Sequence, residues 1–274
     1  MVGGNKVRAL EWLLGGIPAG ATLLTAGGDG STHVLATATH ARRVGVHTVA
    51  VQWRHEMHPM ADAVAARSAA LCARTVRANS PALGLVRLAL LRLTHPDYHY
   101  LAPGGSTPLG TLGHVDAAFE LAAQVDAGEL PAPTYVVVPL GSGGTAAGLA
   151  LGFGLAGLHT TVIAVRVVPR SAAPVWHLNR LISTTRALLA RAGGPHAATH
   201  PAVPVHVDHT HFGGAYGRPL AVSADARQVF GRMPGLILDD TYSAKAALTA
   251  LDLAARADAP TVLFWLTFDG RSLA

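Results

Sequence analysis

At 274 residues, half of them apolar and 14% charged, the chain can bury one large or two modest cores, which excludes a disordered protein. A single cysteine, Cys72, excludes an intrachain disulfide and fits a reducing compartment. The net charge of +5 comes from scattered arginines rather than a basic stripe interleaved with aromatics, so small anions are implied as ligands and nucleic acid is not. Mean hydropathy is positive. The most apolar run, Ala146 to Leu158, is nevertheless Gly-rich and too short to span a bilayer, and the start of the chain lacks a signal-peptide pattern. A soluble, cytoplasmic protein with no membrane partner is expected.

In chain order, Val7, Leu10 and Leu14 recur at helical spacing behind Asn5, a candidate N-cap, and Gly15-Gly16 with Pro18 stops the helix. Thr22 to Ala26 predicts a buried strand entering Gly27-Gly28-Asp29-Gly30-Ser31, followed by a helix over Thr32 to Arg43 and a strand over Val46 to Gln52. That is a βαβ crossover and predicts parallel pairing. The alternation continues with a helix over Ala61–Leu71, a strand over Arg74–Ala78, a helix over Leu83–Arg92 and a strand over Tyr98–Ala102. A composition shift at Pro103 to Pro108 marks a boundary before a helix over Leu112–Ala127. Tyr135-Val136-Val137-Val138-Pro139 has the continuous apolar character of a central strand covered on both faces. It runs into Gly141-Ser142-Gly143-Gly144-Thr145 and an Ala/Gly/Leu helix. Beyond it the pattern predicts strands over Thr161–Val168, Val203–Val207, Leu236–Leu238 and Thr261–Leu266, and helices over Val175–Arg191, Ala224–Arg232 and Ala244–Ala257.

Scarcity singles out one side chain. Nearly every basic residue is arginine, whose guanidinium forms no Schiff base, and the only lysines are Lys6 and Lys245. Lys6 falls in the first turn of its helix, where the dipole and partial burial both disfavour the ammonium form. In Gly141 to Thr145, glycines allow consecutive N–H groups to face one concavity at a helix N-terminus, and Ser142 and Thr145 add hydroxyls. The loop is neither a Walker A motif nor a dinucleotide fingerprint, so a monophosphate suits it better than a nucleotide. Gly27 to His33 is a second such turn, in which Ser31 or Thr32 can equally be a plain N-cap. No metal site is expected. His206, Asp208, His209 and His211 alternate along a strand and loop, and His55 with His58 has helical ligand spacing, but fifteen histidines produce such pairs by chance. Lys245 is expected to be a packed or ion-paired structural residue.

Five segments in order carry a resemblance. They are Gly3-Gly4-Asn5-Lys6-Val7-Arg8 with Leu10-Glu11; Gly104-Gly105-Ser106 with Leu109-Gly110 and Leu112-Gly113; Gly141 to Thr145; Tyr216-Gly217-Arg218-Pro219; and Leu238-Asp239-Asp240-Thr241-Tyr242 with Lys245-Ala246. Together they resemble the D-cysteine desulfhydrase and 1-aminocyclopropane-1-carboxylate deaminase family of pyridoxal-phosphate enzymes. The resemblance implies an α/β fold of tryptophan-synthase-β type (fold type II): two open, twisted, mostly parallel sheets flanked by helices, usually in a homodimer. It divides the chain into a large cofactor-binding domain, 1–15 and 105–274, and a small α/β domain, 16–104.

Residue by residue, the resemblance makes Lys6 the Schiff-base lysine and Gly141, Ser142, Gly143, Gly144 and Thr145 the phosphate cup. Asn5, Thr32 and His33 fall beside the cofactor. Ser31 becomes a candidate for gripping the substrate carboxylate or assisting proton transfer, Tyr216 an active-site tyrosine, and Thr267 a hydroxyl approaching the pyridine nitrogen. The implied activity is a D-cysteine-desulfhydrase-like α,β-elimination from a small amino acid, giving a keto acid and ammonia. Deaminase-like ring opening is one alternative, and a non-catalytic binding or partner protein is another. Departures bear on the choice. Thr32 stands where the family has Asn, and no acidic residue directly follows Tyr-Gly-Arg-Pro, which disfavours the deaminase branch. Phe268-Asp269-Gly270 replaces a glycine pair. The family also carries a longer segment before its lysine motif; a completing partner, a shortened start or lost activity would each account for the difference.

Overall fold

The computed structural model describes residues 4–55, 59–194, 200–233 and 236–268. Gly3, His58, Asp269 and Gly270, invoked above, lie outside them. The elements in order are α1 (Lys6–Leu14), β1 (Thr22–Gly28), α2 (Thr32–Arg43), β2 (His47–Trp53), α3 (Pro59–Leu71), β3 (Arg74–Ala78), α4 (Pro81–Thr94) and β4 (His99–Tyr100). After a 3-10 turn at Pro103–Gly105 come α5 (Pro108–Asp126), β5 (Tyr135–Leu140), α6 (Gly144–Leu155), β6 (Thr161–Arg166), α7 (Val175–Arg191), β7 (Val205–Asp208), α8 (Ser223–Phe230), α9 (Ser243–Ala254) and β8 (Val262–Phe264). Leu236–Leu238 forms no strand. Leu238 is buried among Ala226, Ala244, Ala247 and Leu248, so the apolar run is explained by packing without a ladder partner.

Two all-parallel sheets of four strands result, ordered β3-β2-β1-β4 and β7-β6-β5-β8. In each, the first strand in sequence lies between strands reached in opposite directions, a topological switch point at whose carboxyl end a crevice opens. The two switch strands are β1 and β5, and the two glycine turns follow them directly. β5 is apolar throughout because both faces are covered. Val136, Val138 and Leu140 meet α5, α6 and α7, while Val137 meets Ile163, Val165, Ala246 and Ala250. Pro139 interrupts no ladder on the β8 side, since that pairing ends at Val137↔Phe264.

α1 lies between the two halves. Leu10 and Leu14 join Leu23, Ala36, Ala41, Val46 and Leu101 of the first half. Its other side presses on α5 so closely that a Cβ on Gly113 would stand 1.9 Å from Arg8 O. The bidentate Arg8–Glu120 pair (2.8 and 2.6 Å) sits at the rim of that contact. Lys6 is thereby held at a junction of both sheets.

Candidate active site

The chain enters α1 from Gly4, whose φ of +52° suits glycine and whose absent side chain lets Thr267 O approach; a Cβ there would lie 2.1 Å from it. Asn5 N donates to the same carbonyl at 2.9 Å, tying the first turn of α1 to the segment after β8. The expectation that the Asn5 side chain caps α1 is corrected. Asn5 occupies the N-cap position but has helical dihedrals and makes no cap bond; its Nδ2 donates instead to Thr145 Oγ1 at 2.8 Å. The amide is drawn across to α6 because that hydroxyl is within reach and equally buried.

Lys6 begins α1, partly buried, and its amine makes no hydrogen bond or ion pair among the described residues. Burial lowers its pKa from 10.5 to about 8. It shares a narrow cleft with Asn5, Gly141 to Thr145, Thr267, Gly104 to Ser106, His114 and Tyr242. The structure thus brings together the lysine, the glycine turn, Asn5 and Thr267, as expected of a single site.

The turn has the open backbone donors that an anion site needs. Gly143, at φ +95°, is the N-cap of α6 and offers no capping side chain. The N–H of Gly144 goes to Ser106 Oγ (3.1 Å), whereas those of Thr145 and Ala146 make no bond among the described residues. Ser106 also donates to Ser142 Oγ at 2.6 Å. Side chains on the turn would close the cradle, since a Cβ on Gly144 would lie 2.8 Å from Ser106 Oγ and one on Gly141 3.4 Å from Tyr242 Cε1.

Ser31, Thr32, His33 and Tyr216 do not line this cleft. Ser31 Oγ accepts from Val34 N at 3.5 Å and caps α2. Thr32 and Tyr216 connect to the cleft through Tyr242: Thr32 acts on the Tyr242 hydroxyl to ease its ionisation, and the Tyr216 and Tyr242 hydroxyls meet at 2.6 Å. Burial pushes Tyr216 up to about 12 and Tyr242 well above its ordinary value, so the pair stays protonated. His33 pairs Nε2 with Thr25 Oγ1 at 2.9 Å, and burial, with the Lys6 charge nearby, brings it down to about 3.

Sequence reasoning left Tyr242, Ser106 and His114 unassigned. The first two stand inside the motifs quoted above, so their motif positions could have flagged them. Nothing local marks His114. Lys245 is fully buried, with Nζ donating to Phe212 O at 2.8 Å, the packed residue it was expected to be. Among the described residues no three His, Cys, Asp or Glu side chains gather as metal ligands. His209 accepts from Arg166 and His211 pairs with Asp252. Burial pushes the Cys72 thiol up to about 11, away from nucleophilic use. A cavity of about 590 Å³ beside Thr134 and Thr161 opens at the amino ends of β5 and β6, the wrong end of the sheet for the chemistry above. No helix among the described residues is long and apolar enough to cross a membrane.

The sequence profile of the family described as "Pyridoxal-phosphate dependent enzyme" matches residues 1–267. Nocardicin C-9' epimerase of Nocardia uniformis subsp. tsuyamanensis is 36% identical, over 97% of this chain and 81% of its own length. D-cysteine desulfhydrase of Yersinia pestis (strain Pestoides F) is 33% identical, over 92% and 76%. Among solved structures, an ACC deaminase homologue superposes with a TM-score of 0.78 at 25% identity, covering 98% of this chain and 80% of that one. The residues in the cleft fit the cofactor these comparisons imply. An amine with no partner among the described residues faces a turn that lacks Cβ atoms at Gly141, Gly143 and Gly144 and has open N–H groups, and two buried polar atoms, Asn5 Oδ1 and His114 Nδ1, have no partner among the described residues.

Proposed function

Because the chain belongs to the pyridoxal-phosphate-dependent enzyme family, we propose that it is a lyase that eliminates a β-substituent from a small amino acid, D-cysteine-desulfhydrase-like, releasing a keto acid and ammonia. The observation that carries this is the Lys6 amine, without a partner among the described residues, in one cleft with the uncapped turn of α6. Pyridoxal phosphate, when bound, supplies a carbonyl for that amine and a ring that takes up the electrons left when a Cα proton departs.

The remaining work falls to the chain's own residues. The Gly141–Thr145 turn binds the phosphate through open N–H groups and the hydroxyls of Ser142 and Thr145. Lys6, with a pKa near 8, holds the cofactor and, once displaced, carries the Cα proton. Thr267, in the same cleft, would offer the ring nitrogen a neutral hydroxyl, which would temper electron withdrawal. Ser31, Thr32 and His33 lie outside the Lys6 cleft; on this reading Thr32 and His33 would take a place beside the ring and Ser31 one beside the substrate carboxylate, while Tyr216 with Tyr242 would form a protonated pair able to donate to a leaving group. The same reading makes the protein a cytoplasmic homodimer in which 1–15 and 105–274 hold the cofactor and 16–104 covers the substrate.

A second reading, epimerisation at Cα, is favoured by the 36% likeness to an epimerase. It also has a second proton-bearing group at the cleft in Tyr242, since inversion needs both a base and an acid. One experiment separates the two: incubate the holoenzyme with D- and L-cysteine and D- and L-serine in D2O. Keto acid and ammonia are expected from one enantiomer. Deuterium at Cα with inversion and no keto acid would replace the lyase with the epimerase, and cofactor binding without either would make the protein a binding module.

A further inference from the structure

His114 sits in the middle of an apolar helix, 4% exposed, and lines the cleft next to Asn5 and Thr145. Backbone packing holds it there. A Cβ on Gly148 of α6 would lie 2.5 Å from His114 Cβ, and Gly113 touches α1 as described, so three helices converge on this residue without slack.

The Thr145 hydroxyl accepts from Asn5 Nδ2 at 2.8 Å and lies 3.4 Å from His114 Nε2, while His114 Nδ1 has no partner among the described residues. Burial, with Lys6 and Arg8 nearby, brings the imidazole down to about 3, so at neutral pH a single ring nitrogen carries the proton. A proton on Nδ1 would bury an N–H with no acceptor, the rarer and costlier kind of orphan. On Nε2 it leaves only a bare lone pair at Nδ1 and points a second donor at Thr145. The threonine oxygen then accepts from Asn5 and from His114, which uses both lone pairs. Its own proton has no acceptor among the described residues, and the cleft over the glycine turn is what remains in front of it.

We propose that His114 is a positioning residue which, with Asn5, fixes the Thr145 hydroxyl as a donor toward a phosphate monoester seated on Gly141–Thr145. This rests on the proposed phosphate role of that turn. His114 itself acts only through Thr145, and an apolar ring of the same size would leave the hydroxyl free to rotate.

Two ligands isolate the contact. Pyridoxine 5'-phosphate has the phosphate but no carbonyl for Lys6, and pyridoxine lacks both. Their affinities for the full chain, stripped of cofactor, would be measured by fluorescence titration for the unaltered protein, His114→Phe and His114→Gln. Phe should weaken pyridoxine 5'-phosphate about tenfold, the worth of one hydrogen bond to an ionised group, and leave pyridoxine unchanged. Gln, whose amide N–H falls near the Nε2 position, should recover all but about threefold of the loss. Equal behaviour of Phe and Gln, or equal losses for both ligands, would overturn the proposal. A two-bond 1H–15N spectrum of the unaltered protein tests it without any variant: the Nε2–H tautomer is expected, and the Nδ1–H tautomer overturns it. Failure of pyridoxine 5'-phosphate to bind the unaltered protein would instead overturn the phosphate role of the turn, and this proposal with it.

Discussion

The starts of α1 and α9 each carry one of the chain's two lysines, and by acidity alone they are twins. Burial brings both amines from 10.5 to about 8. What separates them is their company. Lys245 is spent on Phe212 O, beneath the Phe212 ring, with Asp239 and Asp240 drawing its charge. Among the described residues Lys6 has no hydrogen-bond partner, and it faces a turn with open N–H groups. A lowered lysine pKa marks desolvation, and only the absence of a committed partner marks an amine held ready for a ligand.

Exchanging the two lysines tests this most severely. Lys6→Ala should abolish the visible band of the cofactor-bound protein and lower activity by about three orders of magnitude or more, whereas Lys245→Met should keep the band. A borohydride-reduced pyridoxyl mark on Lys245 would reverse the assignment. Next in size is Gly4→Ala. Its Cβ would meet Thr267 O at 2.1 Å at a φ of +52°, so we expect a loss of about 1–3 kcal/mol in urea unfolding together with weaker cofactor binding. Gly193→Ala, also at positive φ but with nothing within 4 Å, should lose stability without touching cofactor affinity.

Smaller still is a pH effect that the two lysines share. Between about 8 and 10.5 the unfolded chain keeps a proton on each lysine that the folded chain has released, so stability should rise with pH across that window and be flat below it. Because both amines fall from 10.5 to about 8, Lys6→Met and Lys245→Met should each remove a comparable share of the slope. Cofactor loading needs the free amine, so its rate should climb as pH passes about 8, a step that Lys245→Met leaves in place. The smallest expected change is Ser31→Ala, about 1 kcal/mol for loss of the α2 cap, measured by thermal melting.

Much of the fold was legible in the sequence because local chemistry decides it. The apolar run Tyr135–Pro139, the punctuation at Gly45 and Gly141, and the helical spacing of Val175–Arg191 each predict an element that forms. Leu236–Leu238 misled because an apolar run records burial, and burial among Ala226, Ala244 and Leu248 needs no strand. At the site, Lys6 and the glycine turn announced themselves by scarcity and by backbone freedom. His114 and the Asn5 side chain did not, since their partners come from helices far away in sequence. A capping residue and a cross-helix tether look alike until Thr145 is brought alongside.

The bond from Asn5 N to Thr267 O also orders events in time. Asn5 and Thr267 are 262 positions apart, so the turn that carries Lys6 is pinned only once the segment after β8 has docked. Until then the amine has no finished pocket around it, and long-range closures of this kind are slow to form. Loading of the cofactor should accordingly follow docking of that segment, which makes it the gatekeeper of maturation.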